Sequence, residues 1–423
     1  MIIDILQTIV NYGHCPDNIN CTKINKYCHD NIYIFRLYAN KHFDQNIANQ
    51  KKYSLLKKLF LCDDHEKKIN LRHFRDTLEE LRCAGICCGI DQNSINGMQK
   101  LKRLICNDNP NIYDVSCFSE TLEDLSCNGR SKIMQHSLTN LKKLRRLVCI
   151  KNPNIKDVNH LSNTLVELCC GGSGIDQTGI ISLNLKKLYC DYNDKITSIV
   201  HLSDTLEELD CSGNNCIGQH DISLLKKIKI LKCNYCVNIT NLNSLSNTLE
   251  VLHCDGIKTM KTNGITNLRK LKELRCAGCR EIKSVNHLAD TLDILYCGYD
   301  SGINQLGFIK LKKLRKLYCH GNKKMKDVNH AINLEYLDCV GTNVTKEGMS
   351  QLQKLKYLYC GWTHSICPDT NCKNKKFRSA SWYIDYENKY FHDYDCLHDI
   401  SPSYGCDVCI KDLLYEKGKL MFF

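Results

Sequence analysis

The stretch Thr205-Leu206-Glu207-Glu208-Leu209-Asp210-Cys211, read beside Leu185-Lys186-Lys187-Leu188-Tyr189-Cys190, decides the fold. Both carry one phrase: leucine, two residues, leucine, one residue, cysteine. The phrase recurs from Leu78-Leu81-Cys83 to Leu355-Leu358-Cys360, fourteen times at intervals of 20 to 23 residues. A weaker copy, Leu56-Leu59-Leu61, precedes them. Self-similarity at this period predicts a solenoid, in which each unit buries its apolar edge against its neighbours. Such an array offers a surface for recognition before it offers a pocket for chemistry.

The rest of the unit is equally regular. Three residues past the cysteine stand Asn109, Asn152, Asn193, Asn214 and Asn322, with Cys236, Cys279, Thr342 and Thr363 in the same slot. A short polar side chain there can bond the backbone of the turn that leaves the strand. Near six residues past the cysteine comes an apolar residue, as at Ile112, Ile155, Ile196, Ile217, Ile239 and Ile282. Over roughly residues 55 to 366 the pattern resembles the leucine-rich repeat in its short form, with cysteine replacing the last strand leucine. The resemblance implies an α/β repeat solenoid: a curved horseshoe with a parallel sheet on its concave face. A unit this short predicts 3₁₀ or extended chain on the convex side, and a helical cap is expected at the N-terminus.

The 423 residues are 43% hydrophobic with only 5 prolines, which predicts one elongated body of about fifteen strands. The 30 cysteines do not predict a disulfide scaffold. Fourteen are already explained as small buried residues, one per strand. The segment Met1-Ile2-Ile3-Asp4-Ile5-Leu6 lacks the basic leader of a signal peptide, and no run is long and apolar enough to span a membrane. An intracellular, reducing location is therefore expected, with thiols kept reduced.

Between the two leucines, charge alternates from repeat to repeat: Glu79-Glu80, Lys102-Arg103, Glu123-Asp124, Arg145-Arg146, then Lys186-Lys187 and Glu207-Glu208. Parallel strands in register would set opposite charges side by side, a stabilising arrangement across a sheet. The ladder neutralises itself. The net charge of +12 then comes largely from edge lysines, and no nucleic-acid partner is expected.

Aromatic residues form a second column, densest in the C-terminal repeats. Tyr296, Tyr318, Tyr336, Tyr357, Tyr359 and Trp362 fall at outward strand positions or just beyond, with Tyr189, Tyr192, Tyr235, Tyr299 and His320 related to them. Tyrosine and tryptophan concentrate binding energy at protein interfaces, so these six are the expected partner-binding residues, holding a protein on the concave face. No phosphate loop, nucleophile elbow or metalloprotease helix is present. No catalytic residue, cofactor or metal site is expected, and the protein is read as a binding module, not an enzyme. The repeated histidines His160, His201, His287 and His330 read as turn residues. Cys406-x-x-Cys409 and Cys367-x₄-Cys372 have zinc-like spacing, but a C-terminal cap over 367–423 is the better reading.

Residues 1–50 stand outside the repeats proper, which occupy 51–366. Ile2, Ile5, Leu6 and Ile9 have helical spacing, followed by Ile24-Asn25-Lys26-Tyr27-Cys28 and Ile32-Tyr33-Ile34-Phe35. This order resembles a degenerate F-box, without its Leu-Pro pair and late tryptophan. The resemblance implies that Ile5, Leu6, Ile9 and Tyr27 dock on a Skp1-like adaptor, making the chain a substrate receptor of an SCF-type ubiquitin ligase. The alternative is a plain repeat scaffold. Cysteine-substituted arrays of this kind are also similar to repeat proteins encoded by large DNA viruses, which would place the chain in host cytoplasm.

Overall fold

A computed structural model of the chain describes residues 33–63 and 65–360. It divides into two compact units, Met1–Asn238 and Ile239–Phe423. In the first, the described residues form ten parallel strands in chain order. They are β1 (Arg36–Ala39), β2 (Lys58–Leu61), β3 (Glu80–Arg82), β4 (Arg103–Ile105), β5 (Asp124–Ser126), β6 (Arg146–Val148), β7 (Glu167–Cys169), β8 (Lys187–Tyr189), β9 (Glu208–Asp210) and β10 (Ile230–Lys232). In the second they form six: β11 (Val251–His253), β12 (Glu273–Arg275), β13 (Ile294–Tyr296), β14 (Lys316–Tyr318), β15 (Tyr336–Asp338) and β16 (Tyr357–Tyr359).

The leucine phrase sets the pleat. Successive strand side chains face opposite ways, so Leu209 points inward between the half-exposed Glu208 and Asp210. Leu206, Cys211 and Ile217 fill the interior on either side of that strand, all without exposure. Register then stacks like on like: Leu188, Leu209 and Leu231 form one row. The strand cysteines from Cys83 to Cys339 line the interior as free thiols. Burial pushes the Cys106 and Cys297 thiols up to about 12, which makes them poor nucleophiles.

The sheet begins earlier than the sequence reading placed it. Ile34, two residues before β1, and Leu37 and Ala39 within it are buried, and β1 pairs with β2 from Arg36↔Lys58 to Ala39↔Leu61. Residues 34–39 are thus a worn copy of the phrase, with isoleucine and alanine at its ends. The boundary at residue 50 therefore falls past the first strand. Ile34, assigned above to the F-box-like run, belongs to a repeat core.

The return segments are short 3₁₀ and α-helical turns, such as Asn159–Leu161, Val200–Leu202, Asn286–Leu288 and Gln219–Ser223. The histidines tie these turns together. The Nε2 of His160, His201, His287 and His330 bonds a carbonyl one repeat back, on Leu138, Ile180, Ile265 and Phe308, at 3.0 to 3.2 Å. Burial holds the last three below the usual imidazole range.

The asparagine slot does similar work inside. The Asn109 Nδ2 donates to the Cys83 and Ile90 carbonyls, at 2.9 and 3.1 Å, while its Oδ1 accepts from the Asn111 amide. Asn193 and Asn322 make equivalent pairs of bonds. Where the slot holds cysteine, the thiol takes over: the Cys279 Sγ lies 2.9 Å from the Cys254 carbonyl. Among the described residues, no helix is long and apolar enough to cross a membrane.

Candidate functional site

The two units present different outward sheet faces. In the first unit the strand-opening residues form a ladder of ion pairs in two runs, Lys58 to Glu167 and Lys187 to Glu208. The Glu80 carboxylate, 7% exposed, sits between the Lys58 Nζ at 2.9 Å and Arg103 at 3.1 Å. Arg103 reaches Asp124 at 2.9 Å, Arg146 reaches Asp124 at 3.3 Å and Glu167 at 2.6 Å, and Lys187 reaches Glu208 at 3.1 Å. Desolvation works against the Glu80 charge, but hydrogen bonds from Lys58 and Arg103 hold its carboxyl below the ordinary range. A second, more exposed ladder runs one residue earlier: Glu79 with Lys57 and Lys102, and Glu207 with Lys186 and Lys229. Alternating signs therefore produce two rails, where the sequence alone suggested one.

In the second unit the inner rail lapses, with Val251, Glu273, Ile294, Lys316, Tyr336 and Tyr357 at the strand-opening positions, and tyrosines gather at and beside them. Arg275, Tyr296 and Tyr318 occupy the third position of β12, β13 and β14 and are direct register partners. The Arg275 guanidinium lies over the Tyr296 ring, 4.4 Å from its centroid. The Tyr296 and Tyr318 rings stack at 4.0 Å, within 4° of parallel. At β15 the third position is Asp338, so the column steps across to Tyr336 at the first position, 4.6 Å from Tyr318. It then contacts Tyr359 and Tyr357 of β16, at 5.3 and 6.2 Å. Five of the six expected residues are thus one continuous cluster. Trp362, and the adaptor residues Ile5, Leu6, Ile9 and Tyr27, lie outside the described residues, as do the C-terminal cysteines.

Partial burial pushes the Tyr296, Tyr318 and Tyr336 hydroxyls above the usual phenol range. The column is anchored at its base. Glu273 accepts from Arg275 Nε at 3.0 Å and lies 3.1 Å from the His253 Nε2. The His253 hydrogen bond, with help from Arg275, draws its carboxyl down to about 2. At the other end burial raises the Asp338 carboxyl; it accepts from the Val340 amide and faces His320 Nδ1 at 3.8 Å. Arg275, Glu273, His253 and Asp338 were not among the expected residues. Reading the position before each cysteine through every repeat, rather than for aromatics alone, would have placed Arg275 and Asp338 in the column.

Other tyrosines go elsewhere. Tyr189 stands in the first unit beside Glu208. Tyr192, Tyr235 and Tyr299 lie beyond their strands, at φ values of 51°, 63° and 48°. They share this left-handed slot with glycine in other repeats, such as Gly213 and Gly321. The slot is a turn at the sheet rim, so these rings do not join the strand-face column.

No protein-family model matches the sequence, and no curated protein matches it. Solved structures do match in fold. The functional domain of InlJ from Listeria monocytogenes, described as including a cysteine ladder, superposes with a TM-score of 0.50 at 23% identity, over 76% of this chain and 71% of that one. Another internalin of Listeria monocytogenes, inlF, gives 0.42 at 16% identity, over 84% and 94%. A leucine-rich-repeat protein of Leptospira interrogans gives 0.44 at 17%, over 68% and 85%. With its parallel strands and 22-residue period, the chain has the leucine-rich-repeat solenoid fold, with cysteine as the last inward residue of the strand.

Proposed function

We infer that the chain is a protein-binding scaffold and that the tyrosine column of the second unit is where it holds its partner. The observation that carries this reading is the contrast between the two outward faces. The first unit carries two rails of ion pairs and one stacked pair, Tyr38 on Phe60; the second keeps the outer rail, as in Lys272–Glu250 and Lys356–Glu335, and sets beside it five half-exposed tyrosine rings in continuous contact. Aromatic anchors in a polar surround are how protein interfaces concentrate their energy. Among the described residues, no three histidine, cysteine or carboxylate side chains are grouped to hold a metal ion.

The narrower reading, a substrate receptor joined to a Skp1-like adaptor through residues 1–50, is supported by the F-box resemblance. The burial of Ile34 in the first repeat confines that resemblance to the residues before it. The test has two arms. Tyr318→Ala with Tyr359→Ala should weaken partner capture at least about tenfold, or about 1.4 kcal/mol, with folding intact. Deleting residues 1–32 should abolish capture of a purified Skp1-like adaptor if the ubiquitin link is real, and leave target capture untouched. Full capture by the double variant would refute the binding face.

A further inference from the structure

Resting on that reading, the structure also indicates what the column selects. Its rings stack on one another or under Arg275, so Tyr296 and Tyr318 have their faces occupied. What they offer a ligand is ring edge and hydroxyl, since side chains on a strand stand off the sheet. The edge is the positive part of an aromatic quadrupole, and a phenol hydroxyl can donate. Both features favour an anion or an oxygen acceptor.

Charge points the same way. Of the charged residues within β11–β16, Lys316 alone has no side-chain hydrogen bond or ion pair among the described residues. It is exposed, and its register partners on either side are Ile294 and Tyr336. The equivalent basic residue of the first unit, Lys187, is bonded to Glu208. The carboxylates around Lys316 are engaged: Asp293 by a two-pronged contact from Arg315, Glu335 by Lys356 at 2.8 Å, Glu273 by Arg275 and His253, and Asp338 by the Val340 amide. Lys316 is therefore a cation without a carboxylate partner beside a row of ring edges; Asp338, at the far side of Tyr318, has no lysine or arginine partner either, and burial favours its neutral form.

We propose that the Lys316–Tyr318–Tyr336 patch takes an acidic segment of a partner protein, with a carboxylate on Lys316 and acceptor oxygens along the tyrosine edges. Single-stranded nucleic acid is the other anionic candidate. It binds by stacking bases on open aromatic faces along a basic track, whereas Tyr296 and Tyr318 have their faces occupied and Lys316 stands alone rather than in a track.

The probes are a labelled dodecapeptide of repeated Asp-Gly-Leu, its Lys-Gly-Leu counterpart, and dodecauridylate, each titrated by anisotropy against the full chain at low salt. The acidic peptide should bind saturably and at least about tenfold tighter than the basic one. Lys316→Glu should weaken it at least about tenfold. Lys310→Glu makes the same charge change at an exposed site in a return segment and should have no more than a small, salt-sensitive effect. Tyr318→Phe with Tyr336→Phe should also weaken it, because the hydroxyls are lost and the rings kept. Absence of saturable binding, equal effects of the two lysine reversals, or tighter binding of dodecauridylate would overturn the proposal. Partner capture lost with Tyr318→Ala and Tyr359→Ala but unchanged by Lys316→Glu would leave the binding face standing and remove only its acidic preference.

Discussion

Tyr296 and Tyr318 stack at 4.0 Å because each precedes its strand cysteine, Cys297 and Cys319, and their strands pair in register. A parallel, close-stacked pair on neighbouring strands should contribute about 0.5–1.5 kcal/mol beyond the area its rings bury. A double-mutant cycle of Tyr296→Ala and Tyr318→Ala, followed by urea unfolding of the second unit, should show positive coupling of that size. Strictly additive losses would mean that the two rings stand independently in solution.

The two charge rails should respond differently to salt. Glu80 is nearly inaccessible and accepts from both Lys58 and Arg103, so Glu80→Gln should cost about 1–3 kcal/mol and keep most of that loss at high salt. Glu207 lies on the exposed rail with Lys186 and Lys229. Glu207→Gln should cost less, and its effect should shrink as ions screen the pair. Comparing the thermal midpoints of both variants at low and high salt checks this. Equal salt sensitivity would show that solvent reaches both rails alike.

How much of this was legible follows from what the chain repeats. The inward leucines and cysteines were legible because burial demands the same chemistry in every copy. The first strand was missed because Ile34 and Ala39 satisfy the same interior positions without spelling the phrase. Ion pairing was legible as alternation, since parallel register converts sequence period into contact. The tyrosine cluster was legible, but its path was not. Asp338 breaks the third-position column, and only side-chain reach shows that Tyr336 bridges the gap. Arg275 and Lys316 were hidden by the same ladder that made the other charges look self-cancelling. The left-handed slot left a trace that was not used, in glycines such as Gly129, Gly172 and Gly213 recurring two residues past the strand cysteine of alternate repeats.

That slot supports a test of its own. A Cβ on Gly213 would fall 2.4 Å from the Tyr192 Cε1, and the Gly213 φ is 68°. Tyr192 itself adopts a φ of 51°, a conformation that costs a bulky L-residue roughly 1–2 kcal/mol. Gly213→Ala should therefore destabilise through both backbone strain and collision with the Tyr192 ring. In a Tyr192→Gly background the collision is gone and only the strain is left, so the same substitution should cost less. If the cost of Gly213→Ala is identical in both backgrounds, the ring does not pack over that glycine.

The histidine contacts should make stability fall on mild acidification. His201, His287 and His330 are half-buried, and each has an Nε2 on a carbonyl one repeat back. Burial lowers their pKa values from the ordinary 6.5. The sign follows from linkage: in the unfolded chain these rings take up a proton as pH drops through 6.5, while in the folded chain they resist it. Their contribution is therefore fully present above pH 6.5 and is lost as pH falls through the lowered folded values. Differential scanning calorimetry between pH 7.5 and about pH 5 should show a declining midpoint. Replacing all three by glutamine, whose amide can still donate to the carbonyl but does not titrate, should flatten that decline while leaving the midpoint at pH 7.5 nearly unchanged. A slope that survives the triple substitution would assign the acid sensitivity to other groups and leave the histidines as neutral spacers between repeats.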